Sequence, residues 1–353
     1  MVWIGLISYP LYLWHWPVLS YLRIVENGMP GRIDRIIAVA ICFVLAWATY
    51  ELLEKRVRKA EISRVVAVAV LLMSLLFGVG LYTANGKLHP RIDSEEISKL
   101  VKAAGDWVYP EGLSPVRYGK AVFYVAGASR ADSDVVLFWG DSHVEQYGPR
   151  IVHSLSRFPD LKFVFATWAT CAPKISAVDD PIDDCSGVNH EARRLIKGGG
   201  VKTVVVGAAW NRYMTESPAE YERHEHLASL TDLFEDIKPF ADVYLLIDNP
   251  FDPELDPRSY FTGSRLSDVV VNLEPGHHVE LPESQRRLAS QLRTLAAEVN
   301  VNVIDPLETL CGEEGCLVST ADGTPVYADW GHLRPYFVRE YADYINVAFS
   351  DSK

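Results

Sequence analysis

Basic residues are in short supply in this chain: 34 Lys and Arg stand against 46 Asp and Glu, a formal net charge of −12 over 353 residues. A nucleic-acid footprint needs the opposite imbalance. Nucleic acid is therefore excluded as a partner, and neutral substrates remain open. Cysteine is scarce too, five in all, and none of it falls in a recognisable zinc spacing. The nearest approach to a metal set is Cys311, Cys316 and His332, so no metal and no tightly bound cofactor is expected. The basic stretch that opens a cleaved signal peptide is also missing; the chain begins with an aromatic-rich apolar span.

Apolar sequence is what the first 84 residues have in quantity. Trp3 to Leu22, Ile36 to Leu53 and Val65 to Ala84 each approach the roughly 20 residues a bilayer crossing requires. Trp3, Tyr9, Tyr12, Trp14 and Trp16 suit an interfacial aromatic belt. About three transmembrane helices are therefore expected over 1–84. The basic run Glu54-Lys55-Arg56-Val57-Arg58-Lys59, continued by Arg64, marks the second loop as cytoplasmic, and Arg23, Arg32 and Arg35 in the first loop oppose this without reversing it. The third helix then delivers everything beyond residue 85 to the extracytoplasmic side. Cysteine usage agrees: Cys171 with Cys185 and Cys311 with Cys316 close short loops and can pair in an oxidising compartment. Cys42 stands alone in an apolar helix as a packed side chain.

Gly140-Asp141-Ser142-His143 follows the apolar run Val135-Val136-Leu137-Phe138-Trp139. A serine where a buried strand turns into a helix is held exposed, with backbone N–H groups beside it. Far downstream, Asp329-Trp330-Gly331-His332-Leu333 supplies a carboxylate and an imidazole three residues apart. Serine attack needs a base within reach and an anion that orients it. Asp329 can bond Nδ1–H of His332 while Nε2 faces Ser142. Asp141 and His143 read as turn and pocket residues.

This constellation resembles the SGNH (GDSL-like) hydrolase family, in which Ser, Gly, Asn and His stand in four separated blocks. The resemblance implies that Ala209-Trp210-Asn211, after Val204-Val205-Val206, occupies the place of the family's Gly-x-Asn, so that Asn211 would join the Ser142 N–H in binding an oxyanion. The family's oxyanion glycine has no counterpart: Thr167-Trp168-Ala169-Thr170-Cys171 contains none, which leaves a backbone N–H of Ala169 or Thr170.

Upstream, Ile4-Gly5-Leu6-Ile7-Ser8-Tyr9-Pro10-Leu11-Tyr12-Leu13-Trp14-His15-Trp16-Pro17 resembles a late transmembrane helix of the acyltransferase-3 family, and Thr49-Tyr50-Glu51-Leu52-Leu53-Glu54-Lys55-Arg56 resembles the end of the next, with Arg56 where proline is usual. Members of that family often carry an extracytoplasmic SGNH domain at the C-terminus. The resemblance leaves out the family's earlier helices, so a C-terminal portion of a larger enzyme, or a separate subunit, is expected. His15 belongs to a structural motif and is not the family's acyl-accepting histidine.

Domain boundaries are expected at 1–84 for the membrane helices, 85–134 for an extracytoplasmic linker and 135–353 for the SGNH-like domain. Runs at Val135 to Trp139, Phe163 to Ala166, Thr203 to Val206, Val243 to Ile247 and Val301 to Ile304 read as strands of a central parallel sheet, with helices at Glu145 to Leu155, Asn189 to Ile196, Pro218 to Ile237 and Glu283 to Val299. The fold class is a three-layer α/β/α domain. Ser142 and Asn211 then lie at carboxyl ends of neighbouring strands, where such sheets bind ligands. Trp210 and Tyr213 are candidates for an aromatic wall against a sugar ring. The polar, proline-rich stretch from Asn249 to Leu281 reads as a capping or substrate-facing loop. His277-His278 and His224-Glu225-His226 read as solvated.

The expected protein is an O-acyltransferase or esterase in a bacterial inner membrane, with its catalytic domain outside. An acetyl group supplied by a membrane acyltransferase or acyl-CoA would pass to, or from, a hydroxyl of a cell-envelope polysaccharide or lipopolysaccharide; the acetyl group and envelope setting are implied by resemblance. The other reading is a noncatalytic glycan-binding partner of a separate membrane acyltransferase. Which glycan is bound, and whether transfer or hydrolysis wins, depends on water exclusion and hydroxyl positioning.

Overall fold

Successive side chains of a strand point to opposite faces, so a strand apolar at every position must be covered on both sides. Val136, Leu137, Phe138 and Trp139 are all buried, and they lie at the centre of the sheet. The computed structural model describes residues 2–26, 30–84, 95–107, 112–130, 132–174, 184–214, 220–262 and 270–350. Its main sheet has seven strands: β1 (Ser114–Tyr118), β2 (Ala121–Gly127), β3 (Asp134–Gly140), β4 (Leu161–Thr167), β5 (Thr203–Val206), β6 (Asp242–Leu246) and β7 (Asn302–Ile304). The spatial order is β1-β2-β4-β3-β5-β6-β7. The last five in that order run parallel, and the β1–β2 hairpin joins β4 antiparallel at one edge.

Leu137, Trp139, Val164, Val204, Val206 and Leu245 face one core, roofed by helices Asp184–Lys197, Glu220–Ile237 and Glu283–Val299. Val136, Phe138, Phe163, Phe165, Val205 and Leu246 face the other, under Gly148–Ser154, Pro335–Tyr341 and Val347–Ser350. Phe138 and Phe165 stack across β3 and β4 with ring centroids 4.7 Å apart. Each such fully buried side chain stabilises the fold by about 1.5–3 kcal/mol. The expected α/β/α layering and parallel sheet are both present.

One boundary is corrected. The sheet begins at Ser114, inside the stretch read as a linker to residue 134. The edge strand β1 is largely exposed, so it lacks the apolar run that marks a central strand. Its hairpin turns at Gly119, whose φ of +54° suits a residue without Cβ. Helix Glu95–Ala104 also lies in that stretch, while 85–94 fall outside the described residues.

The chain divides into two units, Met1–Ser98 with Phe261–Asn272, and Lys99–Tyr260 with Leu273–Lys353. In the first, Arg32–Val57 and Ile62–Thr83 are long and apolar enough to cross a membrane. Helical rise gives the 22 residues of the latter about 33 Å, the thickness of a hydrocarbon core. Its Leu71, Leu75 and Phe77 are exposed, as lipid-facing residues would be. The third expected span, helix Val2–Val25, holds Pro10 and Pro17 and does not qualify among the described residues by the same measure. It is tied to its neighbour by the Trp14 indole N–H, which donates to the Thr49 hydroxyl at 2.9 Å.

Cys171–Cys185 and Cys311–Cys316 form disulfides, and Cys42 is free and buried. Denatured, unreduced protein should therefore titrate a single thiol with a thiol-specific dye; three or five thiols would contradict the pairing. Replacing both Cys171 and Cys185 by serine should lower unfolding stability by about 2–4 kcal/mol in urea titration, as expected for a native disulfide closing a loop of this size.

Candidate active site

Strand β3 ends at Gly140 because nothing larger fits there. A Cβ would meet the Gly207 carbonyl oxygen, just past β5, at 2.1 Å. The close approach lets Asp141 serve both strand ends: Oδ1 accepts from the His143 N–H at 2.9 Å, capping the next helix, and Oδ2 accepts from the Ala209 N–H and the Tyr213 hydroxyl, each at 3.0 Å. Ser142 follows as the first residue of the short helix Ser142–Glu145, half-buried, and its N–H has no acceptor among the described residues.

The Ser142 Oγ lies 2.8 Å from His332 Nε2. On the far side of the ring, His332 Nδ1 is 2.8 Å from Asp329 Oδ2 and 3.0 Å from Oδ1. The three side chains thus form one series, assembled from sequence positions 190 residues apart. A tight turn delivers the histidine: Tyr327 bridges Leu333, the Ala328 N–H donates to the His332 carbonyl at 2.8 Å, and the Arg334 N–H to Val326 at 2.9 Å. Burial pushes the Asp329 carboxyl up, but the His332 ring and the His332 and Gly331 N–H groups outweigh it and hold it at about 2. The carboxylate is charged at any pH where the histidine can act as a base.

Beneath this series runs a second polar layer that has no motif in the sequence. Gln146 donates to the His143 carbonyl and to Asn249 Oδ1, both at 2.8 Å, and accepts from the Leu333 N–H at 2.9 Å. Asn249 Nδ2 donates to the Gly331 carbonyl. These two buried amides tie the serine helix to the histidine turn. His143 Nδ1 pairs with Asp248 at 2.7 Å, with both side chains buried, and its ring lies 4.6 Å from that of His332. Burial alone would depress His143, but Asp248, then Asp141 and Asp329, raise it to about 9.

Asn211 stands in the first turn after β5, beside the serine strand. Its amide Nδ2 donates to the Asn249 carbonyl at 3.1 Å and its N–H to Asp248 at 3.0 Å. Beyond β4, the Cys171 N–H bonds the Trp168 carbonyl at 3.1 Å, which closes a turn with Ala169 and Thr170 at its tip. Thr170 has a φ of +58°. That conformation is natural for glycine and strained for a β-branched residue. The segment thus takes a glycine-like backbone without a glycine. The Ala169 and Thr170 N–H groups have no acceptor among the described residues.

The aromatic wall is corrected. Trp210 is only 2% exposed and its indole N–H donates to the Leu246 carbonyl at 2.9 Å, so it is a core residue; the Tyr213 hydroxyl is spent on Asp141. The exposed tryptophans of the sheet domain are Trp107, Trp168 and Trp330. Trp107 meets the His332 ring edge-on, with centroids 4.3 Å apart. Their signal was a lone tryptophan in a polar segment, which periodicity does not detect.

Of the long 249–281 loop, 263–269 fall outside the described residues. Its start is bound at the site: the Asp252 N–H donates to the Trp330 carbonyl at 2.9 Å. His277 packs on Tyr260, and His278 faces Glu314 at 3.7 Å. The side chains of His224 and Glu225 lie outside the described residues, and His226 is exposed. Cys311 and Cys316 are joined to each other, and no group of three metal-ligating side chains occurs among the described residues.

The His143 shift gives a pH signature. Its stabilising contribution is full below the unfolded value of 6.5 and is lost as pH rises through about 9. The urea midpoint of the wild type should therefore fall between pH 7 and pH 10 more steeply than that of His143→Gln. Parallel slopes would show that the pair is not charged in the fold.

Residues 111–346 match the family described as "SGNH domain (fused to AT3 domains)". No curated protein matches the sequence. Solved structures similar to this chain include the periplasmic domain of a lipopolysaccharide acetyltransferase from Salmonella ser. Paratyphi A, at 14% identity and a TM-score of 0.48, covering 63% of this chain and 84% of that one. A member of the lipolytic G-D-S-L family from Veillonella parvula is 16% identical with a TM-score of 0.40, covering 62% and 100%. An aryl esterase of M. smegmatis is 13% identical with a TM-score of 0.37, covering 61% and 98%. The family match spans two thirds of the chain and takes in all seven strands of the sheet, the serine turn and the histidine turn, so this chain belongs to the SGNH family.

Proposed function

We propose that the chain is a membrane-anchored, extracytoplasmic serine O-acyltransferase or esterase acting on hydroxyls of a cell-envelope glycan. The observation that carries this reading is the unbroken series Ser142 Oγ, His332, Asp329, at 2.8 Å on each side of the imidazole. Ser142 attacks the carbonyl carbon of an acyl donor while its proton passes to His332 Nε2, and Asp329 stabilises the imidazolium. The tetrahedral oxyanion is received by the Ser142 N–H, by the Asn211 amide and by an N–H of the Ala169–Thr170 turn, donors of a kind worth about 2.7–4 kcal/mol each when removed elsewhere. Collapse returns the proton to the leaving group and leaves an acyl ester on Ser142. A sugar hydroxyl, deprotonated by His332, then takes the acyl group; water in its place gives hydrolysis.

The donor is an acetyl group delivered by a membrane acyltransferase or drawn from acyl-CoA. The apolar helices, the basic loop at Lys55–Lys59 and the two disulfides support an inner-membrane anchor with the sheet domain on the oxidising side. The acceptor is a polysaccharide or lipopolysaccharide.

Turnover of p-nitrophenyl acetate by the full chain in lipid nanodiscs should fall about 10⁶-fold in kcat for Ser142→Ala and about 10⁴-fold for Asp329→Asn, the losses that follow removal of triad members in other serine enzymes. Intact-mass analysis after a short incubation should find one acetyl group on the peptide that contains Ser142. Equal turnover by wild type and Ser142→Ala would reject the serine mechanism in favour of a glycan-binding partner subunit.

A further inference from the structure

A single exposed apolar side chain needs no explanation, but several large rings held beside one set of reactive groups mark a candidate binding surface. Three tryptophans remain open in the sheet domain: Trp107 at 40%, Trp168 at 46% and Trp330 at 50% exposure. They come from three separate segments, and each is tied to the serine–histidine pair. Trp168 follows β4, and its N–H donates to the Gly140 carbonyl two residues before Ser142. Trp330 lies between Asp329 and His332 in the histidine turn. Trp107 contacts the His332 ring itself, at 4.3 Å and an interplanar angle of 83°.

Trp107 is also fixed in place. The neighbouring Asp106 accepts from Arg334 Nε at 2.9 Å, and Arg334 lies two residues past His332. The guanidinium donates as well to the Pro325 carbonyl at 3.0 Å and sits 4.6 Å over the Tyr336 ring. Both partners are mostly buried, so this pair is firmer than a surface ion pair. The tryptophan and the catalytic histidine thus share one mount, although Trp107 precedes the 111–346 region that defines the family domain.

We propose that Trp107 is the platform of an acceptor subsite, which holds a pyranose ring of a neutral glycan against the Ser142–His332 pair. The inference rests on the reading of this edge as glycan-facing, and it names the residue that makes it so. A pyranose offers a face of C–H groups to an indole and a rim of hydroxyls to polar neighbours, and here the aromatic rings alternate with charged groups: Asp106 and Arg334 beside Trp107, and Asp252 beside Trp330. An acyl chain would need a continuous apolar groove. Holding the ring near His332 orients a hydroxyl toward the base and displaces water, which are the two requirements for transfer over hydrolysis.

The test is saturation-transfer NMR on full-length Ser142→Ala protein in nanodiscs, with the methyl glycosides of glucose, galactose, mannose, rhamnose and N-acetylglucosamine as probes. Ring C–H protons of at least one glycoside should be saturated. Adding Trp107→Leu should reduce that signal about fivefold, whereas Trp107→Phe, which keeps an aromatic face, should retain most of it. A merely space-filling Trp107 would be replaced equally well by leucine, so equal signals for Trp107 and Leu overturn the proposal, as does no saturation by any glycoside. Near-UV circular dichroism of the variants checks that the fold survives. Wild-type turnover of p-nitrophenyl acetate with no saturation of the Ser142→Ala protein would reject the subsite and keep the serine chemistry; saturation of that protein with no turnover by the wild type would do the reverse.

Discussion

The candidate site depends on a close approach at the carboxyl edge of the sheet, where Gly140 meets the Gly207 carbonyl. A methyl group at 140 would sit 2.1 Å from that oxygen. Strands β3 and β5 can therefore end side by side only with glycine in that place, and the consequences are chemical. The gap is narrow enough for one carboxylate, Asp141, to cap the serine helix and hold the Ala209 N–H. Ser142 is then presented beside its unpartnered N–H, and Asn211 starts its turn next door. The apolar run before Gly140 supplies the buried lever; the glycine sets where it stops.

The histidine arrives by a different route. Among the described residues no sheet hydrogen bond connects the His332 turn to β3, so its position depends on side-chain amides. Gln146 and Asn249 between them span the serine helix, the end of β6 and the histidine turn. Buried amides hold position well because any displacement leaves a donor or acceptor unpaired, at about 1–3 kcal/mol for each group. His143 with Asp248 adds a buried hydrogen-bonded pair against the His332 ring. The geometry of the candidate site is thus held twice: by backbone at the serine and by side-chain networks at the histidine.

What the sequence revealed follows the same division. The four inner parallel strands were legible because burial on both faces leaves runs that are almost wholly apolar, the short edge strand Asn302–Ile304 because it ends in apolar residues, and the serine and histidine turns because their residue types and order are constrained by chemistry. Strand β1 was hidden because an exposed edge strand mixes polar and apolar residues, whereas β2 carries an apolar run that the linker reading passed over. Gln146, Asp248 and Asn249 were hidden because a polar residue pointing inward looks like one pointing to water. Trp210 misled for the converse reason: an aromatic at a strand end serves packing as readily as binding, and here its indole N–H is satisfied inside the core. Thr170 was legible as a missing glycine and nothing more. Only the backbone shows that the glycine conformation persists without the residue.

That conformation links the site to its compartment. A β-branched residue in the left-handed region costs on the order of 1–2 kcal/mol, and something must hold the turn. Cys171 is the next residue, and its disulfide to Cys185 anchors the turn to helix Asp184–Lys197. Asn189 in that helix accepts from the Trp139 indole and donates to the Ala172 carbonyl, which fastens the anchor to β3 itself. The N–H groups at the tip are therefore aimed by a covalent bond that forms only where thiols are oxidised. In a reducing compartment the sheet would still have both cores, but the turn would be free to relieve Thr170 and its N–H groups would lose their aim. Under the proposed topology and mechanism, delivery across the membrane and completion of the proposed oxyanion site are thus a single requirement.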